Sequence, residues 1–179
     1  KSIEREGQDR YDIQLPADQR EFLQEIYKVN PNIILVLVAG SSLAVNWENE
    51  HLPAIVNAWY PGEQGGTAVA EVLFGDYNPA GRLPLTYYKS LEQLSTFDDY
   101  DITKGRTYQY FKKDVLYPFG YGLSYTTFKY SNLKVDDAGK TVNVSFTLKN
   151  TGKRAGDEVA QVYVRLPEIA GGTQAIRQL

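Results

Sequence analysis

Few side chains in this chain are of a kind that carries chemistry. There is one histidine, His51, and no cysteine. Thiolate nucleophiles, disulfides and cysteine metal sites are therefore excluded. A lone histidine gives no independent support to a Ser-His-Asp triad, and His51 reads as a surface-turn residue. Asp98, Asp99 and Asp101 crowd one stretch. The glycine-containing spacing of a calcium loop does not surround them, so a solvated acidic loop is the better reading and no metal is expected. Gly62, Gly65 and Gly66 precede a helical pattern, but no Lys-Ser or Lys-Thr pair follows, and tight packing is expected there instead of a phosphate cradle. Asn143-Val144-Ser145 matches a glycosylation acceptor yet falls in the middle of a strand pattern. Glu4 and Glu6 lie in a polar N-terminal segment with Gly7, Asp9 and Arg10. Asp9 and Arg10 are expected to form a local ion pair that anchors this segment.

The composition bounds the rest. With 42% hydrophobic and 23% charged residues the chain suits an ordinary globular protein. A net charge of −3 gives no reason to expect a nucleic-acid partner. No apolar run reaches the length of a membrane span. The chain starts at Lys1 and has no methionine, so a processed, cut or partial chain is expected and the lack of a signal peptide carries no information. No organic cofactor is implied.

Two kinds of periodicity divide the chain. Residues 1–15 read as a loop. Pro16 opens a helix with an apolar stripe at Phe22, Leu23, Ile26 and Tyr27, and Asn30-Pro31 ends it. Ile33–Val38 is continuously apolar, which predicts a strand buried on both faces of a parallel sheet. Ala54–Trp59 predicts a neighbouring strand, and 65–74 a helix closed by Gly75 and packed on that sheet. Leu83–Tyr88 reads as one more strand. From Phe128 the period becomes two. Val142, Val144, Phe146 and Leu148 alternate with polar residues. A similar alternation runs from Val159 to Leu166, with Asn150-Thr151-Gly152 as the turn between the two. Seven strands of a sandwich need about 100 residues, so the second domain is expected to be incomplete.

Two strings are more specific. Gly105-Arg-Thr-Tyr-Gln-Tyr-Phe111 and Leu116-Tyr-Pro-Phe-Gly-Tyr-Gly-Leu-Ser-Tyr-Thr126 resemble the C-terminal region of glycoside hydrolase family 3. So do Asp12–Leu23, Ala58-Trp-Tyr-Pro-Gly-Glu-Gln-Gly-Gly66 and Ala70–Pro84. Asn150–Ala160 resembles the fibronectin type III-like module of many members. The resemblance implies an α/β fold: part of a mostly parallel α/β sandwich over 1–104, an aromatic and glycine-rich connector over 105–127, and a truncated fibronectin type III-like β-sandwich over 128–179. It also implies an N-terminal barrel as partner outside these residues, an oligosaccharide substrate, and a periplasmic or secreted location.

Retaining glycosidases use two carboxyl groups, a nucleophile and a general acid/base. The resemblance implies that the nucleophile lies in the barrel and that no residue here takes that role. Glu6-Gly-Gln-Asp-Arg10 resembles the family's acid/base segment, which makes Glu6 the candidate general acid/base. Glu4 and a merely solvated acidic loop are the alternatives. The implied activity is removal of terminal non-reducing β-linked sugars, with β-xylosidase placed ahead of β-glucosidase. A non-catalytic accessory module, binding carbohydrate or supporting another domain, is the reading from another class. Tyr108, Tyr110, Phe111, Tyr117, Phe119 and Tyr121 are expected to be buried scaffold and not a sugar-stacking platform.

Overall fold

The computed structural model describes Gly7, residues 10–165, 174–177 and Leu179. The chain divides into two compact units. The first draws its described residues from Lys1–Gly66, Leu83–Tyr121 and Gln161–Leu179; the second is Thr67–Arg82 with Gly122–Ala160.

In the first unit, α1 spans Ala17–Val29. Asp18 in its first turn and Lys28 in its last complement the helix dipole. Asn30 ends it, donating its backbone N–H to Ile26 O, and Pro31 then disfavours further helix. Of the expected apolar stripe only Leu23 is buried, whereas Phe22 is exposed. β1 (Ile34–Leu37) and β2 (Ala54–Asn57) pair in parallel, with Ile34 opposite Ala54 and Leu37 opposite Asn57. The six-residue helix α2 (Asn46–His51) connects them, and its last residue is His51, which the sequence suggested to lie on a surface turn. The core is Leu37, Leu43 and Val45, with Leu35, Ile55, Leu116 and Tyr117 packed around it.

Two expectations for this unit need correction. β1 is not buried on both faces: Ile34 and Val38 are 49% and 62% exposed. An apolar cavity of about 620 Å³ lies along the strand, lined by Leu23 and Ile26 of α1 and by Leu35 and Leu37. Two strands and one helix supply too little cover for a strand apolar on both sides. The stretch Leu83–Tyr88 is not a strand. It runs beside the connector through Gly120 N to Leu83 O (2.7 Å), Leu83 N to Tyr121 O (2.8 Å) and Tyr87 N to Tyr117 O (2.9 Å), but only Tyr87 and Tyr117 form a bridge.

The second unit is built on an antiparallel hairpin of β3 (Phe128–Asp137) and β4 (Val142–Asn150). Asp137 Oδ1 accepts from Gly139 N at 2.8 Å and so fixes the hairpin turn. A register shift between Ser131 and Lys134 contains Asn132, which has a positive φ of 55°. The period-two pattern was thus sufficient for β4. It misled at Val159–Leu166: residues 159–163 and 165 are irregular, Val164 makes only an isolated bridge, and Leu166 lies outside the described residues. Gln161 and Tyr163 belong instead to the first unit, where Gln161 Nε2 donates to Gly120 O (3.2 Å) and Tyr163 meets Tyr108 edge to face. The helix α3 (Gly65–Phe74) forms where expected, with Gly75 at φ 83° closing it. From Thr67 onward it groups with the hairpin and not with the parallel sheet.

Asn78 organises the second unit. Its Oδ1 accepts from Tyr125 N (2.7 Å) and Ser124 Oγ (3.0 Å), and its Nδ2 donates to Ala155 O (3.0 Å). It is 8% exposed, so water cannot replace these partners freely. Nearby, Arg82 Nη2 reaches both oxygens of Glu158 at 2.9 and 3.0 Å. We expect Asn78→Ala to cost about 2–4 kcal/mol in chemical denaturation, since it removes the three hydrogen bonds of a buried side chain at once. A cost below that of an exposed substitution would show that the network is not limiting.

Candidate functional site

The polar groups that converge in the first unit do so at the carboxyl ends of β1 and β2. Open parallel sheets place ligand sites at this edge because the loops leaving the strands gather there. After β1 the chain turns through Gly40, Ser41 and Ser42. At Gly40 the ring of Tyr60, which follows β2, comes so close that an added Cβ would displace it. Trp59, just before it, is held at φ 53°, an uncommon conformation for a bulky residue. The turns after the two strands are therefore packed against each other.

Arg10 enters this edge from the N-terminal segment. Its Nη2 donates to Ser41 Oγ at 2.7 Å and to Ser42 O at 2.9 Å. Three residues on, Ile13 O accepts from Ala44 N at 2.7 Å. Across the edge, Asn57 Nδ2 at the end of β2 donates to Tyr87 Oη at 2.8 Å. Burial raises the Tyr87 phenol, while the Asn57 bond and the charge of Arg10 pull it down. The Arg10 guanidinium therefore acts on groups from both strand ends.

The sequence candidates fall as follows. Glu6, Glu4 and Asp9 lie outside the described residues, so the proposed acid/base and the Asp9–Arg10 pair receive no geometry here. Gly7 is described and adopts φ 72°, the left-handed turn that glycine permits beside Glu6. His51 ends α2, exposed. Its ring stacks on Trp47 at 4.5 Å, with Tyr27 edge-on to both, and its Nδ1 bonds Trp47 O. Asp99 and Asp101 are loop residues. A hydrogen bond from Lys104 lowers the Asp99 carboxyl, and one from Thr103 lowers Asp101. No group of three or more metal-ligating side chains occurs among the described residues. Of the three glycines expected to pack tightly only Gly65 does so, against Pro61; a Cβ at Gly62 or Gly66 would meet nothing within 4 Å, and Gly62 is used for its positive φ of 70°. Ser41, Ser42, Asn57 and Tyr87 were not singled out from the sequence. The one signal for the serines was their place directly after a continuous apolar strand.

The connector rings pack mainly on one another. Tyr108 stacks on Phe119 at 4.3 Å and Tyr117 on Tyr121 at 4.9 Å, while Tyr88 meets Phe111 edge to face. They are less buried than expected. Tyr121 is 38% exposed and the others are half-buried, because ring pairs cover one face of each partner and leave the second open. Tyr117 also donates to Asn49 Oδ1 at 2.6 Å.

Burial, with smaller contributions from Tyr121, Glu48 and Tyr87, pushes the Tyr117 phenol up to about 12. An unfolded tyrosine ionises near 10. Between these values the unfolded chain releases a proton that the folded chain keeps, so stability should fall as pH rises through this window and level off above it. Tyr117→Phe should flatten that slope. Ultraviolet titration with parallel denaturation measures both, and an unchanged slope in the variant would assign the effect elsewhere.

Residues 1–125 match the family model described as glycosyl hydrolase family 3 C-terminal domain. The chain is 52% identical over 161 residues to a xylan 1,4-β-xylosidase of Xylanibacter ruminicola, covering 89% of this chain and 18% of that protein. It is 37% identical over 179 residues to a β-glucosidase of Bacteroides ovatus, covering 89% of this chain and 24% of that one. Among solved structures it superposes on a β-glucosidase from Streptomyces venezuelae in complex with D-glucose with a TM-score of 0.87 at 34% identity, covering 97% of this chain and 24% of that one. The chain thus spans about a fifth to a quarter of the length of these relatives. On this match and these identities, the chain belongs to glycosyl hydrolase family 3, its residues 1–125 matching the C-terminal domain.

Proposed function

We propose that this chain is part of a retaining, exo-acting β-glycosidase that removes terminal non-reducing β-linked sugars, with β-xylosides preferred. The observation that carries the preference is the 52% identity to a xylan 1,4-β-xylosidase. The β-glucosidase reading is favoured by the relative from Bacteroides ovatus and by the glucose-bound structural neighbour. In this reading Glu6 is the general acid/base and the nucleophile lies outside these 179 residues, in a barrel domain. Glu6 protonates the departing sugar oxygen while the nucleophile attacks the anomeric carbon, and it then takes a proton from the water that releases the sugar. The positive φ of Gly7, beside Glu6, and the bonds of Arg10 to Ser41 and Ser42 support the reading.

We also propose that residues 1–104 complete their sheet with further strands from the larger protein. The exposed apolar side chains of β1 support this, since a parallel strand of such composition is normally covered on both faces. Residues 105–127 are the connector, and 128–179 belong to a fibronectin type III-like module. The β3–β4 hairpin, with apolar Val142 and Val144 still exposed, fits the start of such a sandwich.

The 179-residue chain alone should hydrolyse neither aryl β-xyloside nor aryl β-glucoside. Turnover by the purified chain would remove the two-part active site. In the full-length enzyme, Glu6→Gln should lose about 10²–10⁴-fold on xylobiose, whose leaving group needs a proton. The glycosylation step with dinitrophenyl xyloside should be nearly spared. Azide should restore turnover and give a β-glycosyl azide, because it needs no general base. Glu4→Gln should show none of this, and if it alone did, the role would pass to Glu4. An accessory module would leave every one of these variants fully active.

A further inference from the structure

We propose that the loop over residues 89–106 recognises the part of the substrate that departs, with the rings of Phe97 and Tyr100 stacking on sugar units beyond the one removed. The inference rests on the exo-glycosidase reading given above and deepens it. Its basis is a pair of rings held out into solvent by a closely bonded loop: Phe97 is 73% and Tyr100 78% exposed. Among the described residues neither ring pairs with another aromatic ring, whereas the connector rings do so.

The loop leaves from the edge at the carboxyl ends of β1 and β2. Just before it, Tyr87 Oη accepts from Asn57 Nδ2 at the end of β2 at 2.8 Å. At its first residue, Lys89 O accepts from Asn46 Nδ2 at the start of α2 at 2.8 Å. The two ends meet, since Thr107 N donates to Tyr88 Oη at 3.0 Å. Inside the loop Arg106 reaches back, its Nη2 donating to Thr96 O at 2.7 Å and its Nε to Ser95 Oγ. Lys104 Nζ pairs with Asp99 Oδ2 at 2.9 Å. Compact loops closed at the neck and held by their own side chains are frequently functional.

The rings sit where the local backbone has no use for them. Asp99 N donates to Thr96 O at 3.0 Å, so Phe97 and Asp98 are the corner residues of a turn. Turn corners favour small or polar residues, and a phenylalanine gains nothing from the turn itself. Asp101 N donates to Asp99 Oδ1 at 3.1 Å, so Tyr100 is held in the middle of a second turn. The backbone under both rings is fixed before a ligand arrives, and aromatic side chains lose little freedom on binding. The ligand chemistry follows from the sugar. A β-linked xylose or glucose unit carries its hydroxyls around the rim and C–H groups on both faces, so its flat side matches an aromatic face. An enzyme that removes terminal units encloses one sugar and leaves the others projecting outward. Loops at the carboxyl ends of parallel strands gather around such a site, and this loop starts among them.

The test uses the full-length enzyme with Phe97→Ala, Tyr100→Ala and Tyr100→Phe. Substrates are xylobiose, xylotetraose and β-xylosyl fluoride, whose leaving group is too small to reach the loop. The cello-oligosaccharides and β-glucosyl fluoride replace them if glucose is the sugar removed. In the unmodified enzyme kcat/KM should rise from the disaccharide to the tetrasaccharide. Each alanine variant should lose about 3–10-fold in kcat/KM on the tetrasaccharide, the size of one aromatic contact. The loss should lie in KM with kcat spared, because sugar units that do not react are bound alike in the ground and transition states. The glycosyl fluoride should stay within about twofold. Tyr100→Phe keeps the ring and should keep the length preference. Equal losses on the fluoride and the tetrasaccharide would overturn the inference. A lower melting temperature of the alanine variants, or their failure to fold, would overturn it too, in favour of contacts between these rings and the rest of the protein. If the unmodified enzyme cleaves both oligosaccharides with no preference for length, this inference alone falls. If it acts on neither sugar series, the glycosidase reading falls and takes this inference with it.

Discussion

The parallel pairing of Ile34–Leu37 with Ala54–Asn57 is the constraint on which the candidate site depends. Parallel strands end on the same side, so the turn at Gly40–Ser42 and the side chain of Asn57 share one edge. An antiparallel pairing would have sent them to opposite ends. The core residues Leu37, Leu43 and Val45 lie just beneath this edge. Apolar packing therefore sets the footing on which Arg10, Asn57 and Tyr87 make their polar contacts. The chemistry proposed for the segment is at one remove from this packing. Arg10 is held by Ser41 and Ser42, and those residues are held by the strand before them.

The second unit is organised by a different force. Its hairpin leaves much apolar surface exposed, including Leu133, Val135 and Val142. Polar side chains with several partners each hold its irregular parts. Asn78 bonds to Ser124, Tyr125 and Ala155, and Asn150 accepts from Thr126 and Gly152 while donating to Arg154. Arg82 and Glu158 add a bidentate pair, each side chain 11% exposed. Asn78, which is buried, favours one arrangement of the loops it joins, because an alternative would leave its amide without these three bonds. The Asn150 bonds lie at an exposed position and act as turn contacts.

Arg10 ties the chain before α1 to the turn after β1. The aromatic connector is held by ring contacts instead. Its paired rings stiffen a glycine-containing run that carries little regular secondary structure of its own.

Much of the architecture was legible in residue order. Continuous apolarity at Ile33–Val38, the stripe at Phe22–Tyr27 and the alternation at Val142–Leu148 each report on local backbone but not on burial, since Phe22, Ile34, Val142 and Leu148 are exposed. Those elements formed within a residue or two of expectation. The motif strings were sufficient for the family. Residue order failed where a segment's partner lies far along the chain. Val159–Leu166 alternates like a strand, but Gln161 and Tyr163 are used by Gly120 and Tyr108. Leu83–Tyr88 has strand composition and a neighbour that supports only one bridge. The bonds from Arg10 to Ser41 and Ser42 were likewise not legible in residue order. Periodicity encodes which face of an element is apolar. It carries no information about which distant donor or acceptor will arrive there, and only the folded chain decides that, because the cost of an unmet buried group is settled by three-dimensional proximity.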